Sequence, residues 1–426
     1  MEIVRYPGRA EWDALTRRPA LDVTTLFGTV RAVLDEVRER GDAAVKAYEE
    51  RFDKVRLATL RVSEAEMREA EAQVADELRR AICAAKANIE KFHASQRFEG
   101  KRVETAPGVT CWQKAVAIEK VGLYIPGGTA PLFSTVLMLA VPARIAGCRE
   151  IVLCTPPDRE GRVHPAILFA ARVAGVDKIF KAGGIQAIAA MAYGTESVPK
   201  VHKIFGPGNQ YVTAAKQWVS LKEVAIDMPA GPSEVAVIAD ETANPDFIAA
   251  DFLSQAEHGA DSQAILVTAS EAIVAPVARA IREQLDRLPR KAITESALAH
   301  SRIILLRDWR EVVDFTNRYA PEHLIIQTAD YAAVAERIEN AGSVFMGPYT
   351  PESAGDYASG TNHTLPTNGY AKAYSGVNLD SFIRKITFQE ITADGIRTLG
   401  DTIRTMAEGE RLEAHREAVT IRLNTI

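Results

Sequence analysis

Between Ala117 and about residue 232, short apolar runs rich in β-branched residues alternate with segments of helical spacing, and Gly or Pro punctuates almost every junction. The sequence reads VGLYIP, VLMLAVPARIAG, EIVLCTPP, HPAILFAARVAG, KIFKAGG, IQAIAAMAYG and KVHKIFGPGN in that order. A strand that returns to its sheet through a helix pairs in parallel, so this pattern predicts strand-helix-strand units on a parallel sheet, a compact α/β domain over roughly 120–232. A second set, EVAVIAD, QAILVTAS, SRIILLR and HLIIQTA, again has helices between its runs and predicts a separate sheet. Two such modules in series are what a diverged duplication would leave, and no short-period repeat or low-complexity segment interrupts them.

The residues before Ala117 have a different texture. Thr24 to about Arg51 carries helical periodicity broken at Gly41, which predicts two helices. Ser63 followed by Glu66 is a capping-box pattern at the start of a further charged helical stretch. A chain of 426 residues exceeds what one core usually serves, so two or more domains are expected. A net charge of −5 removes the general electrostatic case for nucleic acid or an anionic membrane surface, which leaves a small-molecule partner. The N-terminus lacks the apolar core of a secretory signal, and no window approaches a membrane span, so a cytoplasmic protein with no membrane partner is expected. Cys83, Cys111, Cys148 and Cys154 fall in no metal-type spacing and are expected to be reduced structural thiols.

Candidate sites cluster at turns and helix ends. Three glycine-rich turns follow predicted strands, at Tyr124–Gly128, Lys181–Gly184 and Gly206–Asn209, where backbone amides can receive phosphate or carboxylate groups. Each would equally serve as a tight turn with no ligand. No GxGxxG occurs among them, because Tyr211 stands where the last glycine would be. In SQAEHGADSQ, Asn244–Pro245 is a helix start and Gly259 a stop, which places Gln255 and His258 on one helix face. A solvated helix end would account for that pair, so a metal site needs further ligands. Glu322 and His323 in APEHL precede a predicted strand and would project from a sheet edge into a crevice. Residues 351–369 read as one long polar loop that contains Asp356 and His363, of a length more typical of a site than of a spacer. Glu410 and His415 lie in a C-terminal amphipathic helix, a position that surface residues normally fill.

The ordered blocks VGLYIPGG, STVLM, AGGIQAIAAMAYGTE, GPGNQYV, DMPAGPSE, LSQAEHGADSQ, APEHL, SAGDYASGTNHTLPT and AEGERLEAHREAV resemble the histidinol dehydrogenase family from about residue 20 to the C-terminus. The resemblance implies a zinc ion on Gln255, His258, Asp356 and His415, and acid–base catalysis by Glu322 and His323. It implies substrate contacts at Ser233, Gln255, His258, His323, Asp356, Glu410 and His415, and NAD contacts at Tyr124, Gln186 and Asn209. His363 matches a family histidine beside the site. The reaction implied is the four-electron oxidation of L-histidinol to L-histidine through the aldehyde with two NAD, in a homodimer whose C-terminal segments complete each other's sites. Zinc would chiefly position the substrate's nitrogens. Departures at Leu132–Phe133 and Gln210 touch none of these residues.

The fold expected on this basis is α/β, with two Rossmann-like parallel-sheet domains that lack the standard glycine fingerprint, and helical N- and C-terminal extensions used in dimerisation. Its layout is an extension over 1–20, a discontinuous zinc and substrate domain over 21–119 and 233–378, an NAD domain over 120–232, and an exchanged helical extension over 379–426. A zinc hydrolase on the same ligands, with Glu322 activating metal-bound water, is the alternative. Cys148 and Cys154 as nucleophiles for the aldehyde are disfavoured by their apolar surroundings.

Overall fold

The computed structural model describes residues 1–19, 23–127, 130–229 and 231–426. The first predicted set of strands forms a five-stranded sheet in the order β6 (Lys178–Lys181), β5 (Glu150–Thr155), β4 (Lys120–Tyr124), β7 (Lys203–Phe205), β8 (Ala225–Ile226). The second forms a six-stranded sheet in the order β1 (Glu2–Arg5), β11 (Arg302–Leu305), β10 (Gln263–Thr268), β9 (Glu234–Ala239), β12 (His323–Gln327), β13 (Ser343–Met346). Every pairing in both sheets is parallel. Apart from the added β1, each sheet has its strands in the order third, second, first, fourth, fifth along the chain. β9 and β10 are buried at every residue, because helices cover both faces of the sheet and the strands are therefore apolar throughout rather than alternating.

The N-terminal helices correct the expected layout. Gly41, at φ +56°, separates Phe27–Arg40 from Asp42–Tyr48, and Ser63 and Glu66 form the reciprocal cap of Glu64–Gln73. Val30, Leu34 and Val37 share a core with Ile188, Met191 and Val212, and Met67, Ile82 and Ile89 share one with Val136, Leu139 and Ile167. The helices over 27–94 thus bury their apolar faces on the five-stranded half and meet 233–378 through polar contacts such as Asn88 with the Ala358 carbonyl at 2.8 Å. The reason is the composition of the helices they cover. Phe133–Ala146 is buried from Ser134 through Ala143 and Gly184–Tyr193 from Ile185 through Ala192, and helices apolar all round need a second protein layer between them and water.

Both chain ends also depart from the expectation of helical extensions. β1 pairs with β11 at the edge of the six-stranded sheet, and Trp12 packs edge-on against Phe315 in that sheet's core. The first residues are therefore an integral strand and anchor of this half; the expected boundary at 20/21 lies outside the described residues. The C-terminal segment begins with β14 (Ile383–Ile391), which joins β3 (Val109–Ala117) and β2 (Val103–Ala106) in a three-stranded antiparallel sheet. Helices Ala393–Gly409 and Glu413–Leu423 follow it and pack on each other. Ile386, Phe388, Met406, Leu412 and Ile421 stay exposed on this segment. Among the described residues, no helix is long and apolar enough to cross a membrane.

Candidate active site

The helix Pro245–Ala256 starts as its sequence predicts, with the Asn244 side chain accepting the Asp246 N–H at 2.9 Å. It ends at Ala256, earlier than Gly259, so His258 lies just beyond the helix in a tight turn that its N–H closes on the Gln255 carbonyl at 3.2 Å. Gln255 is fully buried in the last turn while His258 is exposed. Gln255 Nε2 donates to the Glu234 carbonyl and to Glu322 Oε2, both at 3.2 Å. Its Oε1 is buried and finds no hydrogen-bond partner among the described residues.

Glu322 and His323 lie at the start of β12. That strand is interior, between β9 and β13, so the two project from the amino end of the sheet and not, as expected, from its edge; both are buried. Glu322 Oε2 accepts the Glu234 N–H at 2.8 Å. His323 Nδ1 lies 3.2 Å from the Glu234 carbonyl, 3.4 Å from Gln255 Nε2 and 3.5 Å from Glu322 Oε2, and the two oxygen acceptors favour a proton on Nδ1. Nε2 is left facing Asp356 Oδ1 at 3.5 Å. Burial alone would lower the His323 pKa, but the fields of Glu322 and Glu352 and the contact with Asp356 overcome it and hold the ring well above the ordinary imidazole value.

Residues 351–369 are not loop throughout. Pro351 leads into a short helix, Glu352–Tyr357, which places Glu352 and Asp356 one turn apart. Oxygens of these two carboxylates and a ring nitrogen of His258 all lie within 4.8 Å of one another. Glu352 was not among the expected ligands. Its four-residue spacing from Asp356 directly after a helix-starting Pro is the signal that could have found it. Ser254 Oγ donates to Glu352 Oε2 at 3.0 Å, and burial raises the Glu352 carboxyl to about 8. Asp356 is held low instead: burial would raise it, but His323, His363 and His258 around it prevail. Two carboxylates, an imidazole and an orphaned amide oxygen make a donor set that suits a divalent cation.

The remaining expected residues divide. Ser233 directly precedes β9, half-buried, with its carbonyl accepting the Gln263 N–H at 3.0 Å. His363 reaches across to the other half, its Nε2 3.4 Å from Thr135 Oγ1 in the first turn of Phe133–Ala146. Glu410 and His415 are exposed on the C-terminal segment and do not join the His258–Glu352–Asp356 group within one chain.

Tyr124 and Asn209, from the first and third glycine-rich turns, and Gln186, at the start of the helix after the second, line a single cavity of about 880 Å³ beyond the carboxyl ends of the five-stranded sheet. Gly128 of the first turn lies outside the described residues. Tyr124 Oη accepts the Gly184 N–H at 3.0 Å, and Asn209 Oδ1 accepts those of Tyr211 and Val212 at 3.0 and 3.1 Å. Gly206, at φ +126°, could carry no side chain, since a Cβ there would sit 2.1 Å from the Tyr124 carbonyl oxygen. Gln186 Oε1 and Thr155 Oγ1 are buried in this wall without partners among the described residues. Cys148 and Cys154 are buried, and burial raises both thiols, Cys148 to about 12, which suits core packing and not nucleophilic attack.

The family model for histidinol dehydrogenase matches residues 16–423. Histidinol dehydrogenase of Bacteroides thetaiotaomicron is 67% identical over 426 residues, covering 100% of both chains. The chloroplastic histidinol dehydrogenase of Arabidopsis thaliana is 53% identical over 419 residues, 97% of this chain and 89% of that one. The crystal structure of histidinol dehydrogenase from Elizabethkingia anophelis superposes with a TM-score of 0.98 at 55% identity, covering 100% of this chain and 98% of the other.

Proposed function

The chain belongs to the histidinol dehydrogenase family, and from that membership we propose how its two sites divide one reaction. It is an oxidoreductase of histidine biosynthesis and acts on histidinol. The family is one of oxidoreductases, so the hydrolase alternative falls. In the finer reading, L-histidinol is oxidised to L-histidine through the aldehyde with two NAD in succession. The six-stranded half holds zinc and substrate, and the five-stranded half, Rossmann-like in its strand order, holds NAD in the cavity of Tyr124, Gln186 and Asn209.

The observation that carries this reading is the buried His323. Its Nδ1 is held by the Glu234 carbonyl and Glu322, and its Nε2 faces the Asp356 cluster. Gln255, His258 and Asp356 would hold zinc, with the orphaned Gln255 Oε1 accounted for as a ligand. When bound, zinc supplies a positive anchor for the substrate's nitrogens and relieves the negative field on His323, while NAD supplies the hydride acceptor. His323 Nε2 takes the hydroxyl proton as the carbinol carbon loses its hydride. Glu322 takes a proton from the water that hydrates the aldehyde, and His323 repeats its step on the resulting diol. Ser233, Gln255, His258 and Asp356 surround the same substrate, and His363, bridging to Thr135, stands at the junction with the cofactor side.

We further propose that the protein works as a homodimer in which a second copy supplies His415 to the zinc and Glu410 to the substrate. Both are exposed on a segment whose apolar side chains lack cover within one chain. Four unpaired cysteines fit a cytoplasmic setting. The test is NADH absorbance with purified protein, histidinol and NAD, before and after chelation. Two NADH per histidinol, loss of activity on chelation and recovery with zinc are expected. A single NADH per histidinol, or indifference to the chelator, overturns the reading. Mixed dimers of His415 and His258 variants should regain partial activity, and mixed dimers that form yet stay inactive refute the shared site.

A further inference from the structure

The helix Asp42–Tyr48 runs into a single wide π turn, Glu49–Asp53, a local form frequent at functional sites. It places the Asp53 carboxyl in the wall of the cofactor cavity and the Glu49 carboxyl behind that wall. Glu49 is fully buried, and its Oε1 accepts the Gly183 N–H at 2.9 Å and Gln186 Nε2–H at 2.8 Å. Asp53 lines the cavity within hydrogen-bonding reach of Glu49. It stands over the ends of β5 and β6, since a Cβ on Gly183 would lie 2.8 Å from Pro156 Cβ and 3.5 Å from Asp53 Oδ2.

In dinucleotide-binding folds of this strand order, an acidic residue after the second strand accepts the adenosine ribose 2′-hydroxyl. Here the acid after β5 is Asp158, whose Oδ1 already accepts the Glu160 and Arg162 N–H groups at 3.0 and 2.8 Å. Asp53, arriving from the helical layer and braced by Glu49, lines the cavity and can take that part. Cations are scarce in the wall. Arg162 is the one Arg or Lys among the described lining residues, and it lies 3.5 Å from Asp158 and 3.8 Å from Glu160. Lys181, behind the wall, is paired with Glu66. The first two amides of the Gly183 turn are taken as well, by Glu49 and by Tyr124 Oη. The unpartnered Gln186 Oε1 and Thr155 Oγ1 in the same wall are acceptors for a ligand that brings hydroxyl or amide hydrogens.

Resting on the reading of this cavity as a dinucleotide site, we infer that Asp53, held in place by Glu49, makes the enzyme select NAD over NADP. A ribose hydroxyl donates to Asp53, whereas a 2′-phosphate meets the Asp53 carboxyl with no unpaired cation in the described wall to offset it. The test measures kcat/KM for histidinol oxidation with NAD and with NADP, together with NADH and NADPH binding by fluorescence, in wild type, Asp53→Asn and Asp53→Glu. The expected result is a wild-type preference for NAD that falls about tenfold or more in Asp53→Asn and largely survives in Asp53→Glu. Glu49→Gln lowers the preference in the same direction by a smaller factor. A preference that stays within about threefold of wild type in Asp53→Asn overturns the inference, as does a wild type that binds NADH and NADPH equally. Wild-type protein that binds neither nucleotide removes the dinucleotide reading itself, a result distinct from the other two.

Discussion

The two parallel sheets share a strand order and place their polar groups at opposite ends. The five-stranded sheet opens at its carboxyl ends, where helices begin, into a cavity of about 880 Å³ whose turn amides are largely capped by the chain's own side chains. The six-stranded sheet gathers Glu322, His323 and Glu234 at its amino ends, where helices finish, and Gln255 sits in such a final turn. A helix end carries partial negative charge and a helix start partial positive charge. With added carboxylates, the amino ends of one sheet suit a cation, while the carboxyl ends of the other suit an extended nucleotide. One architecture used from both ends thus presents two kinds of binding chemistry, and His363 against Thr135 is where they meet.

Substitutions that affect one end and spare the other test this division. The largest effect is expected from His323→Asn, which should lower kcat by about 10³ to 10⁴ while NADH binding is unchanged. Activity within tenfold of wild type would break the assignment of the chemistry to the six-stranded sheet. At the opposite end, burial first and then the neighbouring Asp53 raise Glu49 from 4.5 to about 7. The folded state therefore holds this proton more tightly than the unfolded state does. The stabilisation is complete below about pH 4.5 and is lost as the pH rises through about 7. Urea unfolding should show Glu49→Gln gaining up to about 3 kcal/mol relative to wild type between about pH 4.5 and 8. A constant difference across that range would refute the buried proton. Glu352→Gln should weaken zinc binding about 10- to 100-fold in a competition titration without altering NADH binding. The smallest effect is expected from Asn209→Ala, which removes the cap of Gln210–Ser220 at a cost of about 1 kcal/mol in stability and raises the KM for NAD, with zinc affinity unmoved.

The strands of both sheet centres were legible because burial on two faces leaves uninterrupted apolar runs such as EVAVIAD and EIVLCTPP. β1 and β13 were not: each is an edge strand of four residues with a mixed burial pattern, and its partner is named only by the tertiary fold. β14 pairs along nine residues with β3 while staying mostly exposed, and its apolar residues, such as Ile386 and Phe388, are interleaved with so many charged and polar ones that no buried face announces it. The site shows the same contrast. Gln255, His258, Glu322, His323 and Asp356 stand in specific blocks, and the fold brings them together. Glu352 went unread because the polar residues after it look like loop until Pro351 is seen to start a helix. The side of the molecule that the N-terminal helices join follows from how fully apolar Phe133–Ala146 and Gly184–Tyr193 are, a requirement of those helices and not of the N-terminal sequence itself.

β1 pairs with β11 across 300 residues of chain, Glu2 opposite Arg302. During synthesis β1 therefore waits for some 300 further residues before its backbone groups find a partner, the slow long-range closure that delays sheet formation generally. Its sequence, EIVR, brackets two apolar residues between opposite charges, which keeps so long unpaired a strand from adhering to neighbouring nascent chains during that delay.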